Sequence, residues 1–114
     1  MTDHINEIRL VGRVSQVPEE RVLPSGDSVW AFRLIVHRPP NDHQAGVSVD
    51  AIECAVWTGR PRRSVATWKA NDLVEVSGAL RRRFFRQAGG AASRIEVEVH
   101  KAKILKRPKE DSKS

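Results

Sequence analysis

Apolar and polar residues alternate with a period of two through five stretches of this chain, and no other feature constrains its fold as much. Successive side chains of a strand point to opposite faces, so each stretch reads as a strand with one face packed and the other free. In the first, Ile8, Leu10, Gly12 and Val14 share a face, and Arg9, Val11 and Arg13 share the other. The second sets Trp30, Phe32, Leu34 and Val36 against Ala31, Arg33, Ile35 and His37. In the third, Ile52, Cys54 and Val56 alternate with Glu53, Ala55 and Trp57. The fourth places Val74, Val76, Gly78 and Leu80 opposite Glu75, Ser77, Ala79, Arg81 and Arg83. The fifth sets Ile95, Val97 and Val99 against Glu96, Glu98 and His100, then ends in Ile104 and Leu105.

Turn chemistry separates the runs. Pro24-Ser25-Gly26-Asp27 closes a first hairpin, residues 39–46 form a polar, proline-broken exposed loop, and residues 87–93 (QAGGAAS) form a flexible tip. One segment is helical, residues 61–70: Pro61 suits a first helical position, Val65 and Trp68 stand at i, i+3, and Asn71 is a left-handed stop. The order is β-β-β-α-β-β. Five strands with one short helix between the third and fourth predict an all-β OB-fold, a five-stranded Greek-key barrel spanning residues 1–105. An SH3-like barrel and an α+β roll are the competing layouts, and the position of the helix favours the OB-fold. Residues 106–114 (KRPKEDSKS) carry no apolar side chain and read as a disordered basic tail.

Composition narrows the function. At 114 residues and 39% hydrophobic the chain suits one domain with a small core. It has no apolar run of membrane-helix length and no charged-then-apolar export segment. The single cysteine, Cys54, excludes a disulfide framework and a cysteine zinc site; a reducing, cytoplasmic and nucleoid-associated setting is expected. Catalytic constellations are absent: there is no phosphate-binding glycine loop, and His4, His37, His43 and His100 lack ligand spacing. Cys54 has the parity of the core, and Glu96 with Glu98, lacking a partner acid, reads as solvated or salt-bridged. No enzymatic activity, cofactor or metal is expected.

The net charge of +6 comes with 14 arginines against 6 lysines, and arginine is the side chain that forks onto phosphates and stacks on bases. Residues 60–63 and 81–86 hold seven arginines and no acid, so the charge is concentrated around Trp57 and Phe85. The free faces present Arg9, Arg13, Arg33, Trp57, Arg81, Arg83 and Phe85 together, with Arg60, Arg62 and Arg63 following Trp57. Single-stranded nucleic acid needs cations along its phosphates and flat rings for unpaired bases, so this face points to it. Blander readings stand beside this one. The arginines can form a solvated face, Trp57 can cover the barrel end, Phe84 has inward parity and can bury, and Trp68 can plug the barrel.

Short motifs in order then resemble one family, the bacterial single-stranded DNA-binding proteins. Ile5-Asn6-x-x-x-Leu10-Val11-Gly12-Arg13-Val14 is similar to its N-x-V-x-L-V-G-R-L start, and Pro18-Glu19-x-Arg21 with Pro24-Ser25-Gly26 to its P-E-x-R-x-x-P-x-G hairpin. Phe32-Arg33-Leu34, Asp50-x-Ile52-Glu53-Cys54-Ala55-Val56-Trp57, Asp72-Leu73-Val74-Glu75-Val76-Ser77-Gly78 and Arg94-Ile95-Glu96-Val97 resemble later strands of the family, together covering residues 5–105. The arginine-rich Leu80-Arg81-Arg82-Arg83-Phe84-Phe85 looks like the paralogous form of high-GC Gram-positive bacteria. The resemblance implies that Trp57 and Phe85 stack bases, that Arg33, Arg21 and Arg60 lie at or beside backbone contacts, and that the chain is a homo-oligomer, a homotetramer with a dimer as the alternative. Outward Val11 and Ile35 are candidate subunit contacts. It implies sequence-independent binding in replication, recombination or repair. A primosome-type adaptor acting mainly through protein contacts and an RNA-binding OB module are the alternatives. Ala51 and Pro39-Pro40 stand where members carry aromatics, which implies weaker binding or a shorter footprint. The sequence ends in Lys109-Glu110-Asp111-Ser112-Lys113-Ser114 rather than the family's acidic Pro-Phe tip, so recruitment of repair enzymes through such a tip is not expected.

Overall fold

Strands form where the alternation predicts them, and one more forms where there is none. In the computed structural model, which describes residues 3–40 and 46–108, the elements are β1 (Ile8–Val14), β2 (Glu19–Val22), β3 (Ser28–His37), β4 (Val49–Val56), α1 (Arg60–Val65), β5 (Leu73–Gln87) and β6 (Gly90–Lys106). β2 is the addition. All four of its residues are exposed, so it is held by backbone pairing to β3 rather than by burial. The Leu23–Asp27 turn joins the two strands, with Gly26 at positive φ.

The sheet runs β1-β5-β6-β4-β3-β2, and a further pairing of β1 with β3 closes it. The closing contact is short: Arg13 opposite Ile35 and Val14 opposite Leu34. All pairings are antiparallel except that of β4 with β6. The result is the expected five-stranded closed barrel, with its helix between β4 and β5. Val14, Phe32, Leu34, Cys54, Val56, Val65, Trp68, Val74, Val76, Val97 and Val99 fill it.

α1 is shorter than its pattern suggests. After Val65 the chain tightens into turns, bringing Trp68 N–H onto the Val65 carbonyl at 3.0 Å. Trp68 does plug the barrel: it is 2% exposed and meets Phe32 edge-on at 5.3 Å. Asn71 makes the left-handed stop, at φ 73. The next residue, Asp72, is buried, and its carboxylate accepts Lys69 N–H at 2.9 Å and faces Arg107 at 3.5 Å. Lys106 therefore ends a strand and Arg107 is tied to the barrel, whereas a tail starting at residue 106 was expected. Residues 109–114, the rest of that tail, lie outside the described residues, as do residues 41–45 of the expected loop.

The largest departure is at the far end of β5 and β6. Ser77 pairs with Lys101 but Gly78 with Val99, so His100 is an extra residue that bulges β6. Gly78 is required there because a Cβ would run into the Glu98 carbonyl. Past Leu80 and Val97, where β6 makes its last pairing with β4, the two strands leave the barrel as a hairpin paired out to Gln87 and Gly90. Ala91, Ala92 and Ser93 are strand residues, not part of a flexible tip; only Ala88 and Gly89 turn. Outside the barrel, inward parity no longer means burial. Phe84, expected to bury, is 75% exposed, and Leu80 (45%) and Ile95 (50%) follow it into solvent.

Candidate functional site

A cleft of about 290 Å³ lies on the outer face of β3 and β4. Small residues make its floor: Val29, Ala31 and Ala55 leave the sheet surface low. One wall is the β2–β3 hairpin, with Arg21 and Leu23. The other is the β5–β6 hairpin, with Arg83, Phe84, Phe85 and Arg94, and Trp57 closes the end. Strands and flanking hairpins of this kind make the ligand face of an OB barrel.

Two cation–ring pairs line this face. The Arg83 guanidinium carbon lies 4.6 Å from the Trp57 ring centroid, and that of Arg94 lies 5.6 Å from the Phe85 centroid. Beneath them sit two carboxylates. Arg83 donates to Glu96 at 3.0 Å and to Glu98 at 3.2 Å; Arg94 reaches Glu96 at 3.5 Å, and Arg81 donates to Glu98 at 3.0 Å. Glu96 is 5% exposed, so of the two carboxylates expected to be solvated or salt-bridged, this one is salt-bridged and dry. Burial pushes the Glu98 carboxyl upward, but hydrogen bonds from His100 and Arg81 and the charges of Arg81 and Arg83 together hold it below the usual carboxylate range.

Trp57 is half-buried, with Arg83 over one ring face. Its backbone is pinned by Arg62, which donates to the Trp57 carbonyl at 2.9 Å, to Ser28 Oγ at 2.6 Å and to Glu20 at 3.3 Å. Arg62 is therefore a staple within the protein rather than part of an open basic cluster. The indole Nε1 of Trp57 is buried and has no acceptor among the described residues. On the far side of Trp57 a groove of about 710 Å³ runs between α1 and β6, past Arg60, Ser64, His100 and Lys101. Arg60 and Lys101 have no acidic partner among the described residues.

The remaining sequence candidates are placed as follows. Arg33 donates to Glu53 at 2.6 Å in a shallow recess that shares Arg21, Ala31 and Glu53 with the cleft. Arg21 stands 3.6 Å from Glu19. Arg9 lies beyond the groove, in a hollow sharing His100 and Lys101 with it, and its Nε donates to Glu75 at 2.7 Å. Arg13 lines none of these surfaces; its guanidinium is 3.2 Å from His37 Nε2. Trp57, Phe85, Arg83 and Arg21 thus share one cleft, Arg33 and Arg60 extend it on either side, Arg81 shares Glu98 with Arg83, and Arg13 stands apart.

Arg94, Phe84 and the two glutamates were missed as site residues. The signal existed in the hairpin register, which sets Arg83 opposite Arg94 and Phe85 opposite Ala92, but reading residues 87–93 as loop concealed it. Cys54 is a core residue whose thiol is pushed up to about 12 by burial, with the charges of Glu53 and Glu96 adding to the effect. No group of three or more metal-ligating side chains occurs among the described residues, and none of their helices is long and apolar enough to cross a membrane.

The model of the single-strand binding protein family matches residues 5–105. A single-stranded DNA-binding protein of Oceanobacillus iheyensis is 33% identical over 87 residues, covering 75% of this chain and 53% of that protein. Single-stranded DNA-binding protein 3 of Listeria innocua is 36% identical over 94 residues, covering 82% and 57%. Single-stranded DNA-binding protein A of Bacillus subtilis is 30% identical over 102 residues, covering 89% and 59%. The chain spans between half and two thirds of the length of these relatives. Among solved structures, an SSB of Plasmodium falciparum in complex with ssDNA has the same fold, with TM-score 0.71 and 21% identity, covering 93% of this chain and 99% of that one.

Proposed function

Because the chain belongs to the single-strand binding protein family, we propose that it binds single-stranded DNA independently of sequence, along the cleft and the groove that meet at Trp57. The family is one of binding proteins, not of enzymes. One observation carries the reading: two aromatic rings, Trp57 and Phe85, border one cleft, each with an arginine against it. Unpaired bases stack on such rings while phosphates pass between guanidinium groups.

The arginines are not idle before DNA arrives. Arg83, Arg94, Arg81 and Arg33 already hold carboxylates, so a phosphate that engages them replaces Glu96, Glu98 or Glu53. The gain per contact is then a difference between two ion pairs. Arg60 and Lys101 have no carboxylate to give up, so they are the first phosphate anchors in this scheme. Arg21 and Arg9 extend the path, and Arg13 contributes least.

The same reading covers assembly and biological setting. Several copies associate through the β1 face, where Val11 is 38% exposed beside half-buried Ile35, and the protein protects single strands in replication, recombination or repair, as a paralogous form of the high-GC Gram-positive type. Titration with oligo-dT tests it. Tryptophan fluorescence should be quenched, affinity should fall with salt by a log–log slope of about −0.7 per phosphate engaged, and light scattering should give more than one chain per particle. Preference for oligo-U would favour an RNA-binding module; no affinity for either would favour an adaptor.

A further inference from the structure

The outer part of β5 has an open edge. β5 pairs with β1 only as far as Gly78. At Leu80 the side chain of Asn6 takes over: its carboxamide accepts the Leu80 N–H at 2.9 Å and donates to the Leu80 carbonyl at 2.8 Å. Leu80 therefore turns its backbone groups away from β6. Period two makes Arg82, Phe84 and Arg86 do the same, opposite Ile95, Ser93 and Ala91 of β6. Among the described residues no other strand meets them, and no turn or loop group bonds them. Their N–H and C=O groups line an edge from Arg82 to Arg86, about 14 Å long, the reach of an ordinary strand.

We propose that this edge is a docking site for an acidic, extended segment of a partner protein, which adds to β5 as an antiparallel strand. Open edges are commonly guarded by charge. This one is guarded by one sign only, since residues 81–86 hold four arginines and no acid. Arg82 and Arg86 stand along it on the face away from the cleft. Arg82 donates to Ser93 Oγ at 3.2 Å, and neither arginine has an ion pair among the described residues. Half-exposed Leu80 and Ile95 lie on the same face. A second copy pairing here would set arginines against arginines. A nucleic acid has no ladder of amide donors and carbonyl acceptors to offer a strand edge. A polypeptide with glutamates opposite Arg82 and Arg86 and a β-branched residue between them satisfies backbone, charge and apolar surface together. Asn6 shows the chemistry at the first step of the edge, where an amide of the chain itself completes the ladder. Only the backbone of Phe84 takes part, whatever its ring does at the rim of the cleft.

The probe is a capped peptide, Ser-Glu-Thr-Val-Thr-Glu-Ser, added to the full chain and followed by NMR. A second peptide has the same side chains but is N-methylated at the two glutamates and the valine, the residues whose amides would face β5. The parent should bind the first peptide saturably, with a Kd at or below about 1 mM, and the N-methylated one at least about tenfold more weakly. Hydrogen exchange of the Arg82, Phe84 and Arg86 amides should slow on binding, while Arg81, Arg83 and Phe85, which already bond β6, change little. The variant Arg82→Glu/Arg86→Glu should bind the first peptide at least about tenfold more weakly and prefer its lysine counterpart, Ser-Lys-Thr-Val-Thr-Lys-Ser. Equal binding of the plain and N-methylated peptides would mean attraction of acid to arginine alone, in the cleft or outside it, and would overturn the proposal. So would the absence of saturable binding in this range. A particle mass that falls as peptide is added would show that a second copy occupies the edge, and would overturn it as well.

Discussion

Residues 80–86 carry two unlike surfaces on one strand. On the cleft side, Arg81 and Arg83 are tied to Glu96 and Glu98, and Phe85 is 39% exposed with Arg94 against it. On the other side, Arg82 and Arg86 have no carboxylate partner among the described residues, and Phe84 is 75% exposed. Composition is nearly the same on both, two arginines and a phenylalanine; only the residues that the partner strand sets beside them differ. β6 supplies acids at one parity, Glu96 and Glu98, and Ile95, Val97 and Ser93 at the other. The cleft face is thus held in shape by its own ion pairs and is partly neutral. The second face is open and fully charged. Preorganisation belongs to the first and uncompensated positive charge to the second.

The largest effect should come from removing the ordered rings. Trp57→Ala and Phe85→Ala should each weaken oligo-dT binding by about 1–3 kcal/mol, roughly five- to a hundred-and-fiftyfold. Fluorescence cannot follow Trp57→Ala, so filter binding or calorimetry should be used for that variant. If Phe85→Ala bound short strands as the parent does, the cleft would not be where bases stack, and the division between the faces would collapse.

Next comes the carboxylate that neutralises the cleft. Glu96→Gln keeps the shape of the side chain but removes the charge from a site that Arg83 and Arg94 both approach. Leaving arginines without their buried partner should lower stability by about 1–3 kcal/mol, read by denaturant or thermal unfolding. At the same time, phosphates no longer compete with Glu96, so affinity should rise and its salt dependence steepen. Stability and affinity moving in opposite directions is the distinguishing result. A fall in both would mean that Glu96 positions the arginines for DNA rather than competing with it.

This competition shows which parts of the molecule the sequence made legible. The barrel was readable because Ile8, Leu10 and Val14, or Phe32 and Leu34, declare their face by period two, and because Trp68 and Asn71 mark where the helix must finish. β2 was not, since Glu19–Val22 buries nothing and is held by the backbone of β3. The site was half legible. Trp57 and Phe85 follow from parity, but the partners of their arginines come from β6, and Arg83 and Glu96 are thirteen residues apart. Two segments holding seven arginines and no acid looked like open charge because charge was counted along the chain. Neutralisation acts across the ladder. Phe84 was misplaced for a related reason: its parity was right, but the barrel had already ended at Leu80 and Val97.

A smaller effect is expected from pH, and it separates the faces again. The Glu98 carboxyl is held below its ordinary value in the folded protein. A lowered carboxylate pKa contributes stability above the unfolded value, about 4.3, and that contribution is lost as pH falls through the lower folded value. The parent should therefore lose stability on acidification more steeply than Glu98→Gln, which never had the contribution. Glu75, lowered by its hydrogen bond from Arg9, and Asp50, lowered by its hydrogen bond from Arg38, behave in the same direction but lie off the hairpin and remain in both proteins. Identical acid profiles for the two proteins would mean that the Arg81–Glu98–Arg83 cluster does not hold the cleft face together.

The smallest effect is the one that bears hardest on the open face. Because Phe84 is three-quarters exposed, Phe84→Ala should leave stability within about 0.5 kcal/mol of the parent, as substitution of a largely exposed side chain does. Phe85→Ala, which removes the ring beneath Arg94, should cost more than that. Thermal unfolding of the two variants at one protein concentration, repeated at a tenfold higher one, gives the comparison directly. A destabilisation by Phe84→Ala that exceeds that of Phe85→Ala would show that the ring is packed in solution, and one that grew with concentration would show that a second copy does the packing. Either outcome would remove the asymmetry between the faces, since an open, fully charged surface requires that its aromatic ring have nothing to lose on truncation.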